Sequence, residues 1–490
     1  MVPMALRTGL IFGLSAALVA PPVVAQPARQ PASRPPASRL SAAAPIASPA
    51  GPHTLAEALA ATYANNPTLQ ASRAQLRATD ENVPQALAGW RPTVILQGSG
   101  GVAGGFTQIG AATPAQRVDR ALGSAQAVLT QPIYRGGRTR ATTNRAENQV
   151  MAQRAQLIAQ EQTTFSNTIN AYVNVIQQQQ ILTLNINNEQ VLTRQLQATN
   201  DRFRVGEITR TDVAQAEAAL AGATAQRQTS EGNLATARST YQQQVGFFPP
   251  DNLVEPQPLR PSVRDQQEAD TLAAVNNPNV VSAQFNQSAA RDAIDVAFSN
   301  LAPQLSLQGQ GIESSNQTFP RSYANGGQLL AQVSVPIYQG GSEYSAVRQA
   351  RQQEQQARKQ LDDARRSAVQ QATQAWQTLI AARATAESTR SQIRANSIAL
   401  EGVEREAIVG SRTTLDVLNA QQALLNSQVT LVQNLANLVT ASYSVAAAIG
   451  RLTARDLNLA VPLYDDTAYY NAVRNRWFGT GDYAVDQPGR

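Results

Sequence analysis

The sequence Pro-Ile-Tyr-Arg-Gly-Gly occupies residues 132–137, and Pro-Ile-Tyr-Gln-Gly-Gly occupies residues 336–341. Each copy ends a stretch in which apolar and polar residues alternate. Each also begins a long stretch without glycine or proline, over 138–205 and over 342–401. Alternation predicts a half-buried strand, and a long stretch without helix breakers predicts a helix. The motif therefore marks a passage from strand to long helix, and it does so twice.

The whole chain follows this duplication. Asn-Asn-Pro at 65–67 recurs 211 residues later at 276–278, and Pro92 recurs at the same spacing as Pro303. The Pro-Ile-Tyr motif, in contrast, recurs after 204 residues. The spacing changes by seven residues between these landmarks, and loops absorb such length changes more readily than packed elements do. Each repeat is therefore predicted to contain a strand, a variable loop, a second strand and a long helix.

Four strands are predicted from the alternation, at 93–100, 123–134, 305–310 and 331–338. Glycine-rich segments lie between the partners of each pair and predict loops there. The glycine pairs in question are at 100–101, 104–105 and 326–327.

The long helices are predicted to end where Gly206 and Gly410 each follow a valine, because glycine supplies the left-handed residue after a helix. About 68 helical residues span about 100 Å. Shorter helices are predicted to return over 211–244 and 415–449. Each repeat thus forms a helical hairpin whose tip lies far from the strands. The polar residues predicted to cap the returning helices are Thr211, Asp212 and Thr414.

Composition excludes several classes of function. The chain has 490 residues, no cysteine and one histidine, His53, so disulfides, thiolate metal sites and histidine-based catalysis are not expected. Charged residues make up 15% and the net charge is +6, which does not indicate a nucleic-acid surface. We therefore expect no enzyme activity, no cofactor, no metal and no nucleic-acid partner.

The first 25 residues have the charge and the short apolar stretch of a cleaved signal peptide, and the alternative of a membrane-spanning anchor requires a longer stretch. No other segment reaches spanning length, so membrane insertion would have to use strands. The predicted domains are a signal peptide (1–25), a disordered Pro/Ala/Ser leader (26–52), a first repeat (53–248), a linker (249–268), a second repeat (269–451) and a C-terminal tail (452–490).

Four strands cannot close a barrel, and a sheet in lipid must close because its edges would leave backbone groups unsatisfied. Three chains give twelve strands around an aqueous lumen, whereas two chains give eight strands and a filled interior. The predicted fold is mainly α with a membrane β-barrel: a trimeric twelve-stranded barrel, four strands per chain, continued by a long α-helical barrel. Three alternatives are a periplasmic coiled-coil adaptor, an enzyme and a self-contained porin, which needs more strands per chain.

Several motifs carry a family resemblance: 335–341, 203–206 with 211–213, and 409–413 with 416–418. In this combination and order the chain resembles the TolC outer-membrane efflux family. The resemblance implies a homotrimer in the cell outer membrane that extends into the periplasm. Its tip is closed at rest and opens when a periplasmic adaptor and an inner-membrane pump engage it. The implied function is an exit duct for small-molecule efflux or type I protein secretion.

The resemblance also implies roles for residues at the closed tip. There Thr211 and Asp212 of the first hairpin match positions that meet an arginine of the second, which is Arg412 here. A charge-assisted bond across a moving seam is strong and can be released by a partner. Two acidic rings of the family match Asp416 and Asn419, of which only the first keeps its charge. Plain helix capping by the aspartates, and solvation of Arg412, are the alternatives.

Other positions are candidates for contacts. A tyrosine of the family's closing network falls at Ala407, so that link is missing. Gly206 and Gly410 match the grooves that receive the adaptor, although both also serve as helix C-caps. Tyr134 and Tyr338 lie between strand and helix, where aromatic residues favour the membrane interface. Packing at the neck of the barrel is the alternative for both tyrosines.

Overall fold

The computed structural model describes residues 54–108, 114–317, 321–481 and 483 of the chain. The predicted signal peptide and leader lie outside these residues. The described chain is mainly helical, with one antiparallel sheet of four strands. In chain order the elements are α1 (Leu55–Asn65), α2 (Pro67–Asp80), α3 (Asn82–Leu87), β1 (Thr93–Thr107), β2 (Gln116–Arg135), α4 (Arg138–Arg204), α5 (Arg210–Val245), α6 (Gln266–Asn276), α7 (Pro278–Phe298), β3 (Gln304–Ser315), β4 (Tyr323–Ser334), α8 (Ser342–Ile408), α9 (Thr414–Ala448) and α10 (Ala468–Val473).

Two helices of equal length, α4 and α8, dominate the molecule, and each has 67 residues. Each begins directly after a glycine with positive φ, Gly137 at +80° and Gly341 at +82°. A helix of this length spans about 100 Å. The returning helices α5 and α9 pack on α4 and α8. Both predicted hairpins are confirmed, and the returning helices begin and end within one residue of the predicted positions.

The sheet has the order β1-β2-β3-β4, so the pairing of β2 with β3 joins the two repeats. The predicted glycine loops are wrong. Gly100 and Gly101 pair with β2, and Gly327 pairs with Gly311 of β3, inside the ladder. An antiparallel ladder bonds through the backbone, so it accommodates glycines that lack side chains. Within the described chain, β1 and β4 are each paired along one edge only.

Strand β4 ends earlier than predicted. It stops at Ser334, opposite Gln304, the first residue of β3, whereas the alternation predicted a strand to Tyr338. In β2 the last residues stay paired, because a bulge near Pro132 lets Tyr134 lie opposite Leu305. The corresponding residues of β4 have no strand beside them in a single chain, and an unpaired segment is not a strand.

The Asn-Asn-Pro motif joins helices end to end. Asn66 accepts hydrogen bonds from the N–H groups of Thr68 (3.0 Å) and Leu69 (3.3 Å) through Oδ1, which caps α2. Its Nδ2 donates to the carbonyl of Gln244 in the last turn of α5 (3.0 Å). Asn66 is 5% exposed. One amide therefore satisfies an N-terminus and a C-terminus at once, which positions α2 on the end of α5.

The second repeat contains the same joint. Asn277 accepts from the N–H of Asn279 (3.0 Å) and donates to the carbonyl of Ala448 at the end of α9 (3.1 Å). It is 4% exposed. Beside it Gly450 has φ +80°, and a Cβ there would lie 2.5 Å from the carbonyl oxygen of Asn276. The chain thus needs glycine for this close approach of α9 to the loop before α7.

The largest core lies around α4 below the sheet. Phe165, Ile169 and Tyr172 are almost completely buried, and the Tyr172 hydroxyl donates to the carbonyl of Val254 in the linker (2.8 Å). These three residues lie on one side of α4, at steps of four and three residues. Ile158, seven residues before Phe165, is 40% exposed and lines a cleft between α4 and the tail.

The C-terminal tail returns along α2 and α4 toward the sheet. The N–H of Tyr464 donates a hydrogen bond to the hydroxyl of Tyr63 in α1 (2.9 Å). Further along, Arg474 pairs with Glu147 of α4 (2.9 Å), and Trp477 packs under the guanidinium of Arg91, next to β1. The tail therefore forms a strap over the groove between α2 and α4.

A buried carboxyl group lies close to this strap. Asp80, at the end of α2, is 1% exposed, and within the described part of the chain neither of its oxygens has a hydrogen-bond partner. Burial raises the pKa of Asp80 to about 7, although the nearby charge of Arg154 acts in the opposite direction. Arg154 itself pairs with Asp466 of the tail at 3.6 Å. The tail thus covers a group whose ionisation opposes folding.

Candidate functional site

The two hairpins turn with the same local structure. At the first tip Gly206 has φ +80° and its N–H donates to the carbonyl of Phe203 (2.9 Å). At the second tip Gly410 also has φ +80°, and its N–H donates to the carbonyl of Ala407 (3.2 Å). Both glycines adopt a conformation that other residues rarely take, so they end the long helices. Their role as adaptor contacts stays a prediction.

The cap of α5 lies two residues before the predicted one. Thr209 has the extended backbone of an N-cap (φ −89°, ψ 160°), whereas Thr211 already lies in the first helical turn. Asp212 Oδ2 accepts from the Thr209 hydroxyl (2.7 Å) and the Thr209 N–H (3.0 Å). These bonds hold the pKa of Asp212 below its ordinary value, the one from the hydroxyl contributing most. Asp212 is thus the third residue of a capping box.

The second tip repeats this capping box, with Thr413 instead of the predicted Thr414. Asp416 Oδ2 accepts from the Thr413 N–H (3.0 Å) and hydroxyl (2.8 Å), and the pKa of Asp416 is lowered by these bonds, chiefly by the backbone one. Asn419 lies one turn further along α9 and is exposed. Capping and a role at the tip are compatible, because one carboxylate oxygen carries all of these bonds.

Each tip also has an arginine–glutamate pair of its own. Arg412 Nε lies 2.8 Å from Glu406 Oε2, and this hydrogen bond raises the pKa of Arg412. At the first tip Arg202 pairs with Glu207. Across the described ranges of the single chain, no hydrogen bond or ion pair joins Asp212 to Arg412. The predicted link between the hairpins therefore stays a proposal, and Glu406 is the partner that sequence reasoning missed.

Apolar side chains are exposed at both tips. Val205 is 79% exposed and its counterpart Val409 is 78% exposed. Ile408, directly before Val409, is 80% exposed. Exposed apolar groups at the end of a long polar hairpin indicate a surface for a protein partner. Sequence reasoning named the glycine of each tip as a helix end and as a candidate adaptor contact, but it gave no role to the valine before that glycine.

The neck between sheet and long helices is rich in exposed aromatic residues. Tyr134 at the end of β2 is 49% exposed, and Tyr338 beyond β4 is 75% exposed. Trp90, three residues before the start of β1, is 46% exposed. The structure thus places both predicted tyrosines at one level of the molecule, together with a tryptophan. Their location at a membrane interface stays a prediction.

Among the residues that the structure describes, no three His, Asp or Glu side chains are grouped so that they could hold a metal ion. In the same residues, no helix combines the length and the apolar character that crossing a bilayer requires.

The sequence is similar to known outer membrane proteins. The family described as outer membrane efflux protein matches residues 58–246 and 271–451. The outer membrane efflux protein BepC of Brucella suis biovar 1 is 36% identical over 427 residues, which cover 87% of this chain and 91% of that protein. The outer membrane protein TolC of Escherichia coli K12 is 26% identical, over 80% of this chain and 81% of that protein.

Solved structures share the fold. VceC of Vibrio cholerae has a TM-score of 0.69 at 19% identity, over 81% of this chain and 96% of that chain. The CmeC outer membrane channel of Campylobacter jejuni has a TM-score of 0.72 at 16% identity, over 81% and 86%. These matches do not favour the alternative of a periplasmic coiled-coil adaptor. Because the family covers most of the chain in two successive segments, one for each repeat, and BepC matches nearly end to end, this chain belongs to the outer membrane efflux protein family.

Proposed function

We propose that three copies of this chain form a channel in the outer membrane, and that their hairpins continue it as a tube into the periplasm. An inner-membrane pump, joined to the tips by a periplasmic adaptor, expels substrates through it. The proposal assigns no catalysis to the chain. It leaves the cargo open, because the relatives include BepC, an efflux protein, and AprF of Pseudomonas aeruginosa, an alkaline protease secretion protein.

The internal repeat supports this assembly most directly. Gly136, with φ +60°, is packed so closely that an added Cβ would lie 2.7 Å from the carbonyl oxygen of Ser299. Its counterpart Gly340 has φ +70°, but nothing in the described chain lies within 4 Å of that position. The first junction is covered by the second repeat of the same chain. The second junction would be covered in the same way by the first repeat of the next copy.

The same reasoning predicts the register between copies. Thr130 of β2 lies opposite Gln308 of β3. The residue 204 positions after Thr130 is Ser334 of β4, and the residue 211 positions before Gln308 is Gln97 of β1. Ser334 is therefore expected to lie opposite Gln97 of the next copy. This contact is head to tail, so it closes a ring when the rotation per copy is one third of a turn. A closed ring leaves no sheet edge exposed to lipid.

Cysteine crosslinking tests the assembly, since the chain has no cysteine of its own. The double variant Ser334→Cys with Gln97→Cys, oxidised in outer membranes, is expected to give a covalent ladder that ends at the trimer. Each single variant serves as the control and gives at most dimers. A ladder that ends at the dimer, or that continues beyond three copies, would contradict the proposal.

The tip residues are proposed to control opening. In the trimer Asp212 and Thr211 of one hairpin would meet Arg412 of a neighbouring one, in exchange for its bond to Glu406. Removal of this charge-assisted bond is expected to loosen the closed tip. We therefore expect Arg412→Ser to raise single-channel conductance in planar bilayers. Glu406→Gln tests the pair between Arg412 and Glu406 within one hairpin separately. Unchanged conductance in Arg412→Ser would refute the gating role of Arg412.

Three further contacts belong to this proposal. Asp416 from three copies would form a ring that attracts cations, followed by a neutral ring of Asn419. We expect Asp416→Asn to lower the preference for cations, measured as the reversal potential in a salt gradient.

The grooves at Gly206 and Gly410, with the exposed valines beside them, would receive the adaptor. The lipid of the outer membrane would contact Tyr134 and Tyr338 at the neck, where aromatic rings are favoured.

A further inference from the structure

The tail lies in a groove between α2 and α4 that has a counterpart in the second repeat, between α7 and α8. In the first repeat, charged residues of α4 hold the tail along its length. Glu161 accepts from the N–H of Ala454 (2.6 Å), and Glu147 pairs with Arg474 (2.9 Å). In the second repeat no described segment of the chain lies along the corresponding groove.

The charges of the two grooves differ at equivalent positions. On α8, 204 residues later, arginines replace Glu147 and Glu161. On α7, 211 residues later, an arginine replaces the buried Asp80. Only Arg154, which pairs with Asp466 of the tail, keeps its charge. The basic groove is defined by the four counterparts, Arg291, Arg351, Arg358 and Arg365.

The guanidinium groups of the basic groove are available. All four are exposed, and within the part of the chain that the structure describes none of them forms an ion pair or a side-chain hydrogen bond. Two carboxylates close by in sequence have other partners: Glu354 accepts from Gln287 Nε2 (2.7 Å), and Asp362 pairs with Lys359 (3.4 Å). Four exposed guanidinium groups beside one groove, without a salt bridge in the described chain, indicate an anionic ligand.

The spacing of the arginines favours an extended polypeptide. Arg351, Arg358 and Arg365 are seven residues apart on α8, so they rise by about 10.5 Å at each step along the same side of the helix. An extended chain of the polyproline II type rises about 3.1 Å per residue with three residues per turn, so every third side chain lies on the same side and would meet an arginine. The tail of this chain is itself unsuited, because its Arg474 would lie against Arg351.

We propose that the basic groove binds an extended acidic segment of another protein of the cell envelope. The first repeat provides the precedent for a polypeptide in this position, and the reversed charges select an acidic one. Arginine and carboxylate form charge-assisted, often bidentate hydrogen bonds, which provide both affinity and register. This surface is separate from the tips, and only the location of the partner in the cell envelope rests on the proposed function.

Binding of a defined acidic peptide tests the proposal. The probe is fluorescein-labelled (Glu-Ser-Tyr)4, titrated with the purified full-length protein in detergent and followed by fluorescence anisotropy. The groove variant R351Q/R358Q/R365Q is expected to bind at least about tenfold more weakly than the wild type. The matched control is R383Q/R390Q/R394Q, which removes the same charge from exposed positions further along α8 and is expected to bind as the wild type does.

Two results would overturn the proposal: no binding of the peptide by the wild type, or an equal loss in both triple variants. If phosphatidylglycerol vesicles bind where the peptide does not, the groove is assigned to lipid headgroups instead. Variant R351K/R358K/R365K checks that the groove variant has lost charge rather than structure, since it is expected to recover most of the binding. If the lysine variant stays as weak as the glutamine variant, the electrostatic reasoning is wrong.

Discussion

Replacement of Asn66 by alanine removes both functions of the joint between α2 and α5. The variant loses the cap on the N–H groups of Thr68 and Leu69, which costs about 1 kcal/mol. It also leaves the carbonyl of Gln244 without its donor in a partly buried position, which costs a further 1–3 kcal/mol or so. We therefore expect the local free energy of opening at the joint to fall by about 2–4 kcal/mol. Asn277→Ala is expected to have a similar effect at the second joint.

Hydrogen exchange measured by mass spectrometry reads this quantity directly, because amides in the first turn of α2 exchange through local opening. A loss of 2–4 kcal/mol corresponds to exchange that is roughly 30-fold to 700-fold faster. Asn65→Ala and Asn276→Ala are the matched controls, since these exposed residues are the immediate neighbours in the same motif. Their exchange is expected to stay within about threefold of the wild type.

Asn66→Asp separates the two functions of the side chain. The carboxylate still accepts from the N–H groups of α2, but it cannot donate to Gln244 and it places a negative charge at the negative end of α5. The last turn of α5 is therefore expected to exchange faster while the first turn of α2 stays protected. If Asn66→Ala exchanges as slowly as Asn65→Ala, or if Asn66→Asp protects both turns, the joint does not hold the helices as described.

Three other expectations concern packing, charge and the tail. Gly450→Ala is expected to lower the apparent melting temperature clearly more than Gly246→Ala, because both have positive φ but only the first meets backbone atoms; equal effects would contradict the close approach. Asp80 ionises near pH 3.8 in the unfolded chain and near pH 7 in the folded one, so stability is lost as the pH rises between these values. Asp80→Asn is therefore expected to be more stable than the wild type at pH 8, by more than about 1 kcal/mol, and to lose this advantage at pH 4, in thermal melts at both pH values. Tyr470→Ala removes a ring packed on α4 and is expected to speed proteolysis of the tail. Phe478 is 85% exposed, so Phe478→Ala is expected to leave the rate unchanged. Faster proteolysis in the second variant than in the first would exclude the strap.

The sequence predicted those features whose cause is local or repeated. The two copies of Pro-Ile-Tyr followed by two glycines locate both passages from strand to helix, because glycine with positive φ is needed there. The glycine after Val205 and the one after Val409 locate both tips for the same reason. Helix lengths followed from the absence of breakers, and strand number followed from alternation. These are properties that a short window of residues determines.

Features that depend on distant partners were missed. The carbonyl that Asn66 meets lies 178 residues away, so the motif could be recognised as a repeat but not as a joint. The end of β4 depends on where β3 begins. The capping residue at each tip was missed for a different, local reason, since it depends on backbone angles rather than on residue type. The tail has no counterpart in the other repeat, so its course along Glu147 could not be inferred from duplication.

Both long helices contain 67 residues and both begin at equivalent glycines. The two helices therefore end at the same distance from the sheet only while they contain the same number of residues. A deletion of one heptad in a single hairpin would shorten that rod by about 10.5 Å and leave the other protruding. Lengthening or shortening of this molecule, by evolution or by design, has to occur in both halves at once, in matched multiples of the turn, so the two halves of the gene are bound to change together.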